Sequence, residues 1–100
     1  MAYAETLQEL SDLLCQYYTK SNPNLYGWRH MCKHFHTNTG IEIKWTQVNC
    51  KDRKKEWSDA DEKKLIKLAW KLNNDAFDVY GSNVQYYKSR FIRALPAIIA

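Results

Sequence analysis

At 100 residues, with 45% hydrophobic and 26% charged residues, the chain has the composition of one soluble globular domain, too short for two cores and too apolar for intrinsic disorder. A formal charge of +4 excludes ribosomal charge density, and no apolar run approaches the roughly 18 residues that mark a membrane-spanning helix. Three cysteines, Cys15, Cys32 and Cys50, with no signal-peptide pattern ahead of them, point to a reducing, cytoplasmic compartment and free thiols.

Thr6-Leu7-Gln8-Glu9 has the form of a capping box, which predicts a helix from Thr6 to about Lys20. Leu7, Leu10, Leu14, Tyr17 and Tyr18 make its apolar stripe, with Glu9, Asp12, Gln16 and Lys20 opposite. Ser21-Asn22-Pro23-Asn24 then reads as a turn, because proline disfavours helix for the residue before it. A second helix is predicted over Leu25 to His36, where Leu25, Trp28, Cys32 and Phe35 recur on one face, although Gly27 weakens it by about 1 kcal/mol relative to alanine. Thr37-Asn38-Thr39-Gly40 is its stop, since glycine tolerates the left-handed conformation that closes helices.

After Gly40 the period changes. Ile41, Ile43 and Trp45 alternate with Glu42, Lys44 and Thr46, the pattern of a short extended or β segment near residues 41–48. A lone strand leaves its backbone groups unpaired, so this one needs a partner from Asn49–Arg53, a second chain or a target protein. Lys51 to Glu56 is a charged, solvated connector.

Ser58 to Tyr80 is the longest helix-periodic stretch, with Ser58 as its cap and Asp59, Asp61 and Glu62 in the first turn, where the helix dipole favours negative charge. Leu65, Leu68, Ala69, Leu72, Ala76, Val79 and Tyr80 fall on one face, and Ile66, Trp70 and Phe77 widen it. So broad an apolar face marks this as the central helix, its leucine stripe receiving the N-terminal helices and its Trp70-Phe77 flank receiving the last one. A break at Asn73-Asn74-Asp75 is the alternative. Gly81 closes the helix, and Ser82-Asn83-Val84-Gln85 is a second capping box that starts a last helix running to about Ala94, with Val84, Tyr87, Phe91, Ala94 and Leu95 on its apolar face. The short link predicts an αα-hairpin, followed by the apolar tail Pro96–Ala100. The expected fold is therefore mainly α: a compact four-helix single domain over residues 1–100, with an extended segment near 41–48 and a C-terminal αα-hairpin.

The only concentration of metal-capable side chains is His30, Cys32, His34 and His36, with Cys50 further on. Cys32 and His36 stand i,i+4 and could share an ion, but no fourth ligand to join them and Cys50 is evident, so no metal is assigned and the histidines read as surface residues. Cys32 lies on the apolar stripe, which makes it an inert thiol rather than a nucleophile. With no nucleophile elbow, zinc-protease, P-loop or dinucleotide fingerprint, neither an enzyme nor a cofactor is expected.

Binding remains. Residues 1–50 hold four Lys/Arg and four Asp/Glu, whereas residues 51–100 hold eleven and seven, so the positive excess is C-terminal. There Tyr86, Arg90 and Arg93 align at i, i+4 and i+7, and Lys64, Lys67 and Lys71 follow on the polar side of the preceding helix. These six are the expected partner-binding residues, because tyrosine and arginine are enriched at binding hot spots. From Trp57 to Leu95 the order also resembles a Myb/SANT module: Trp57-Ser58-Asp59-Ala60-Asp61-Glu62, a Leu-rich helix, Phe77, and Tyr87-Lys88-Ser89-Arg90-Phe91 where that family has its last helix. The resemblance implies a last helix in the major groove. Fourteen positions separate Phe77 from Phe91, too few for the family's middle helix, turn and recognition helix, so its DNA contacts are not carried onto Gln85, Lys88 or Ser89. The leading expectation is a small non-enzymatic protein that occupies a surface of a partner protein, as a regulator or inhibitor of the kind phages and mobile elements encode. The alternative is a nucleic-acid-binding helical domain that uses the basic face of the last two helices.

Overall fold

The structure, a computed structural model, describes residues 2–80, apart from the side chains of Asn24 and of residues 76–80. Three α-helices hold these residues: α1 (Ala2–Leu14), α2 (Tyr26–Thr39) and α3 (Asp59–Tyr80), joined by single 3-10 turns at Pro23–Leu25 and Cys50–Asp52. The described part of the chain is thus mainly α, with three helices and no strand. The fourth predicted helix, the αα-hairpin, and with them Tyr86, Arg90 and Arg93, lie outside the described residues.

Helix α1 departs from the expected boundaries at both ends. Thr6 is not a cap: it lies buried inside the helix, its hydroxyl donating back to the Ala2 carbonyl at 3.0 Å. Starting earlier brings Tyr3 into register with Leu7, Leu10 and Leu14, and its ring packs on Phe35 of α2 with centroids 5.3 Å apart. Burying an aromatic ring outweighs the ~1 kcal/mol of a cap. At the other end the helix stops at Leu14 rather than near Lys20, and the Gln16 and Tyr17 amides tighten onto the carbonyls three residues back. The Gln16 carbonyl then accepts the Lys54 amide at 2.9 Å, which an uninterrupted helix would not allow.

Helix α2 starts one residue after the expected Leu25 and runs through Thr37, Asn38 and Thr39, which read as its stop, so that of the four only Gly40 ends it. Leu25, Trp28 and Phe35 are buried, and Gly40 closes the helix at φ +77°, its amide donating to the His36 carbonyl at 2.8 Å. Helix α3 is continuous through Asn73–Asp75, without the alternative break, and Ser58 caps it through a 3.2 Å bond from the Asp61 amide to its hydroxyl.

The centre of the described fold is α1, not α3. Seven of its thirteen residues are buried, and it touches both partners: α3 through Leu65, Leu68, Ala69 and Leu72, and α2 through the Tyr3–Phe35 pair and a 3.0 Å bond from the Trp28 indole to the Ser11 hydroxyl. Each large side chain in that core is worth roughly 1.5–3 kcal/mol relative to exposure. On α3, Ile66 and Trp70 are exposed among the described residues, Trp70 at 66%; the helix expected to cover them is not among those residues.

The charged connector is anchored to the end of α1. Tyr17 stacks on Trp57, with centroids 3.8 Å apart and planes at 11°, and its hydroxyl donates to Asp61, which also pairs with Lys54 at 2.9 Å. The bonds from Tyr17 and then Lys54 hold the Asp61 carboxyl below the usual carboxylate range, while burial and the bond to Asp61 push the Tyr17 hydroxyl up. A carboxyl depressed on folding contributes stability that is fully present above its unfolded pKa of about 3.9 and lost as pH falls through the folded value. Asp61→Asn is therefore expected to cost about 1 kcal/mol at pH 7, the Lys54 side of the pair being exposed and solvent-screened, with the gap from the parent chain narrowing as pH falls below the unfolded pKa of about 3.9 in urea titrations.

Candidate functional site

Residues 41–49 form no strand; they are irregular, and their alternation serves packing against the helices instead. Ile43 and Trp45 lie against the core, half-buried, while Ile41, Glu42, Lys44 and Thr46 are exposed. The missing pairing partner is a side chain. The Gln8 amide on α1 donates to the Lys44 carbonyl at 2.8 Å and accepts from the Lys44 amide at 3.0 Å, reproducing at one residue both bonds of a strand neighbour. A third bond, from the Gln8 nitrogen to Asp12 at 2.9 Å, holds the amide in that orientation.

Gln8→Ala removes both bonds to Lys44, which together are worth about 1–2 kcal/mol. The expected result is loss of hydrogen-exchange protection at the Lys44 amide with little change in the helices.

Held in this way, residues 42–45 form one wall of a cleft of about 450 Å³ whose other wall is α2. Lys20, Arg29, Lys33 and Lys44 surround it, with Glu42 the only carboxylate among its lining residues. These four cations are all of the Lys/Arg in residues 1–50, a half whose formal charge sums to zero. Folding has separated that charge: Glu5, Glu9 and Asp12 are on α1 and none of them lines the cleft. Tyr26, Trp28 and Trp45 supply aromatic surface. Trp28 is only 1% exposed and offers little beyond an edge, whereas Tyr26 is 71% exposed and stacks on His30 with planes at 13°.

Cys32 also lines the cleft, partly buried beneath Ser11. Burial pushes its thiol up to about 12, a bond from Ser11 opposing this only in part, so the sulfur stays protonated at neutral pH. Cys15 is buried, its thiol donating to the Asp12 carbonyl at 2.9 Å, and Cys50 is exposed. Among the described residues no three or more His, Cys, Asp or Glu side chains come together as a metal site, so Cys32, His36 and Cys50 do not meet as one. The pair that does meet is His30 and His34, with Nε2 atoms 3.0 Å apart.

Of the expected partner-binding residues, Lys64, Lys67 and Lys71 are exposed on α3 and none lines the cleft. The cleft itself escaped the sequence reading, although Tyr26-Gly27-Trp28-Arg29-His30 and Lys44-Trp45 carry the interleaving of basic and aromatic residues that builds it. No described helix is long and apolar enough to cross a membrane. Comparison of the chain with known protein families, with curated proteins and with solved structures finds no match.

Proposed function

We propose that this chain is a non-enzymatic binding protein that acts by occupying an acidic surface of a partner protein, as a regulator or inhibitor, and that the cleft between α2 and residues 42–45 is the surface it uses. The observation that carries this reading is the gathering of Lys20, Arg29, Lys33 and Lys44 around one concavity with a single carboxylate among them. Such a field steers an acidic partner into place and selects against basic ones. Half-buried Ile43 and Trp45 supply the apolar contact that charge alone lacks. The protonated Cys32 supports binding over nucleophilic chemistry.

Nucleic acid is the second reading. In its favour are the exposed Tyr26 ring beside cleft cations and the exposed Lys64, Lys67 and Lys71 on α3. A single-stranded platform stacks successive bases on open aromatic faces. Here only Tyr26 is widely open, with Trp28 buried and Trp45 half-buried, which favours the protein partner. An affinity pulldown from the native host, with and without nuclease, tests the choice. Recovery of one dominant protein after nuclease treatment is expected, crosslinked to the chain at α2 or residues 42–45; recovery of nucleic acid alone rejects the leading reading.

A further inference from the structure

Although residues 41–49 form no strand, they run without a turn or bend, and their backbone groups sort onto two edges. One edge is occupied: the Lys44 amide and carbonyl bond to Gln8, the Thr46 backbone bonds to the Cys15 thiol, and the Val48 carbonyl accepts from the Arg53 guanidinium at 2.9 Å. In extended backbone, successive residues turn their N–H and C=O groups to opposite sides, so Ile43, Trp45 and Gln47 present theirs on the other edge. Among the described residues no hydrogen bond reaches the backbone of these three. That open edge faces the cleft: Ile43 and Trp45 line it, whereas Gln8 and Cys15, which hold the occupied edge, do not.

We infer that an extended segment of the acidic partner docks in the cleft as an added antiparallel strand, bonded to the backbone of Ile43, Trp45 and Gln47 and carrying apolar and acidic side chains in alternation. The inference rests on the reading of the cleft as the surface for an acidic partner and supplies its binding mode. In strand addition the backbone bonds give affinity, and the alternate side chains give specificity. Antiparallel pairing is the stronger per residue, and in it directly opposed residues exchange both bonds and share a face. Segment residues opposite Ile43 and Trp45 therefore lean with them toward the core and are apolar. The segment residue opposite Lys44 leans with it toward solvent, where a carboxylate forms a favourable cross-strand pair. Arg29 and Lys33, both exposed on the facing wall, extend the same preference along the segment.

The test uses the full chain and the acetylated, amidated peptide Glu-Val-Glu-Val-Glu-Val-Glu as the probe. Before peptide is added, sedimentation should give a monomer; a dimer with the Ile43 and Trp45 amides already protected would make a second copy the occupant and overturn the inference. Binding of the peptide should slow hydrogen exchange at the Ile43 and Trp45 amides at least about tenfold and leave the Lys44 amide, already held by Gln8, unchanged. N-methylation of the valines removes the donors that face the chain and should weaken binding about 10–100-fold, whereas N-methylation of the glutamates, whose amides face away, should not. Equal binding of the two methylated peptides, or binding without protection at Ile43 and Trp45, overturns strand addition and leaves the acidic-partner reading standing. A peptide with lysine in place of glutamate should not bind; if it binds as tightly, the acidic-partner reading falls and the inference with it. Failure of the unmethylated acidic peptide to bind at millimolar concentration also overturns the inference.

Discussion

Trp28→Ala is expected to cost about 3–5 kcal/mol, the largest stability loss of any single substitution in the described core. A domain of this length has about 5–15 kcal/mol in all, so the variant sits at the edge of folding. The size of the effect comes from two losses at once. Trp28 is the bulkiest fully buried side chain, and its indole N–H donates to the buried Ser11 hydroxyl at 3.0 Å. Alanine leaves a cavity between α1 and α2 and removes that donor. Trp28→Phe separates the two losses, keeping most of the volume and giving up the bond, at about 1–3 kcal/mol. Urea unfolding followed by far-ultraviolet circular dichroism measures both; a Trp28→Ala chain as stable as its parent would show that α2 does not dock on α1 through this residue.

The largest functional effect is expected from Arg29→Glu combined with Lys33→Glu. The substitutions turn a cleft of four cations and one carboxylate into one of two cations and three carboxylates. Facing an acidic partner, that reversal should weaken binding about a hundredfold, mostly by slowing association, and should abolish its dependence on low salt. Both side chains are exposed on α2, so stability should change by no more than about 0.5 kcal/mol. Reversing Lys64 and Lys67 on α3 is the matched control, because neither lines the cleft. If the control loses the partner and the cleft variant keeps it, the binding surface is α3 and the proposal is wrong.

What could be read from the sequence was local. The period of Leu65, Leu68 and Leu72 determined α3, Ser58 its start, and Gly40 the end of α2, because a helix and its caps are built by residues within four positions of one another. The apolar alternation of residues 41–45 was legible too, but not what it meant. The partner of Lys44 is a glutamine side chain 36 residues earlier in the chain, and no periodicity announces such a bond. Among the described residues the core centres on α1, whose extra contact, Tyr3, lies ahead of the capping-box pattern at Thr6–Glu9. The cleft is the clearest case. Summed along the chain, residues 1–50 are neutral, and by charge alone the second half was the half to search. Only folding brings Lys20, Arg29, Lys33 and Lys44 to one side and leaves the α1 acids elsewhere. Composition counts charge, whereas a field depends on distance, and those distances exist only once α2 and residues 42–45 are packed together.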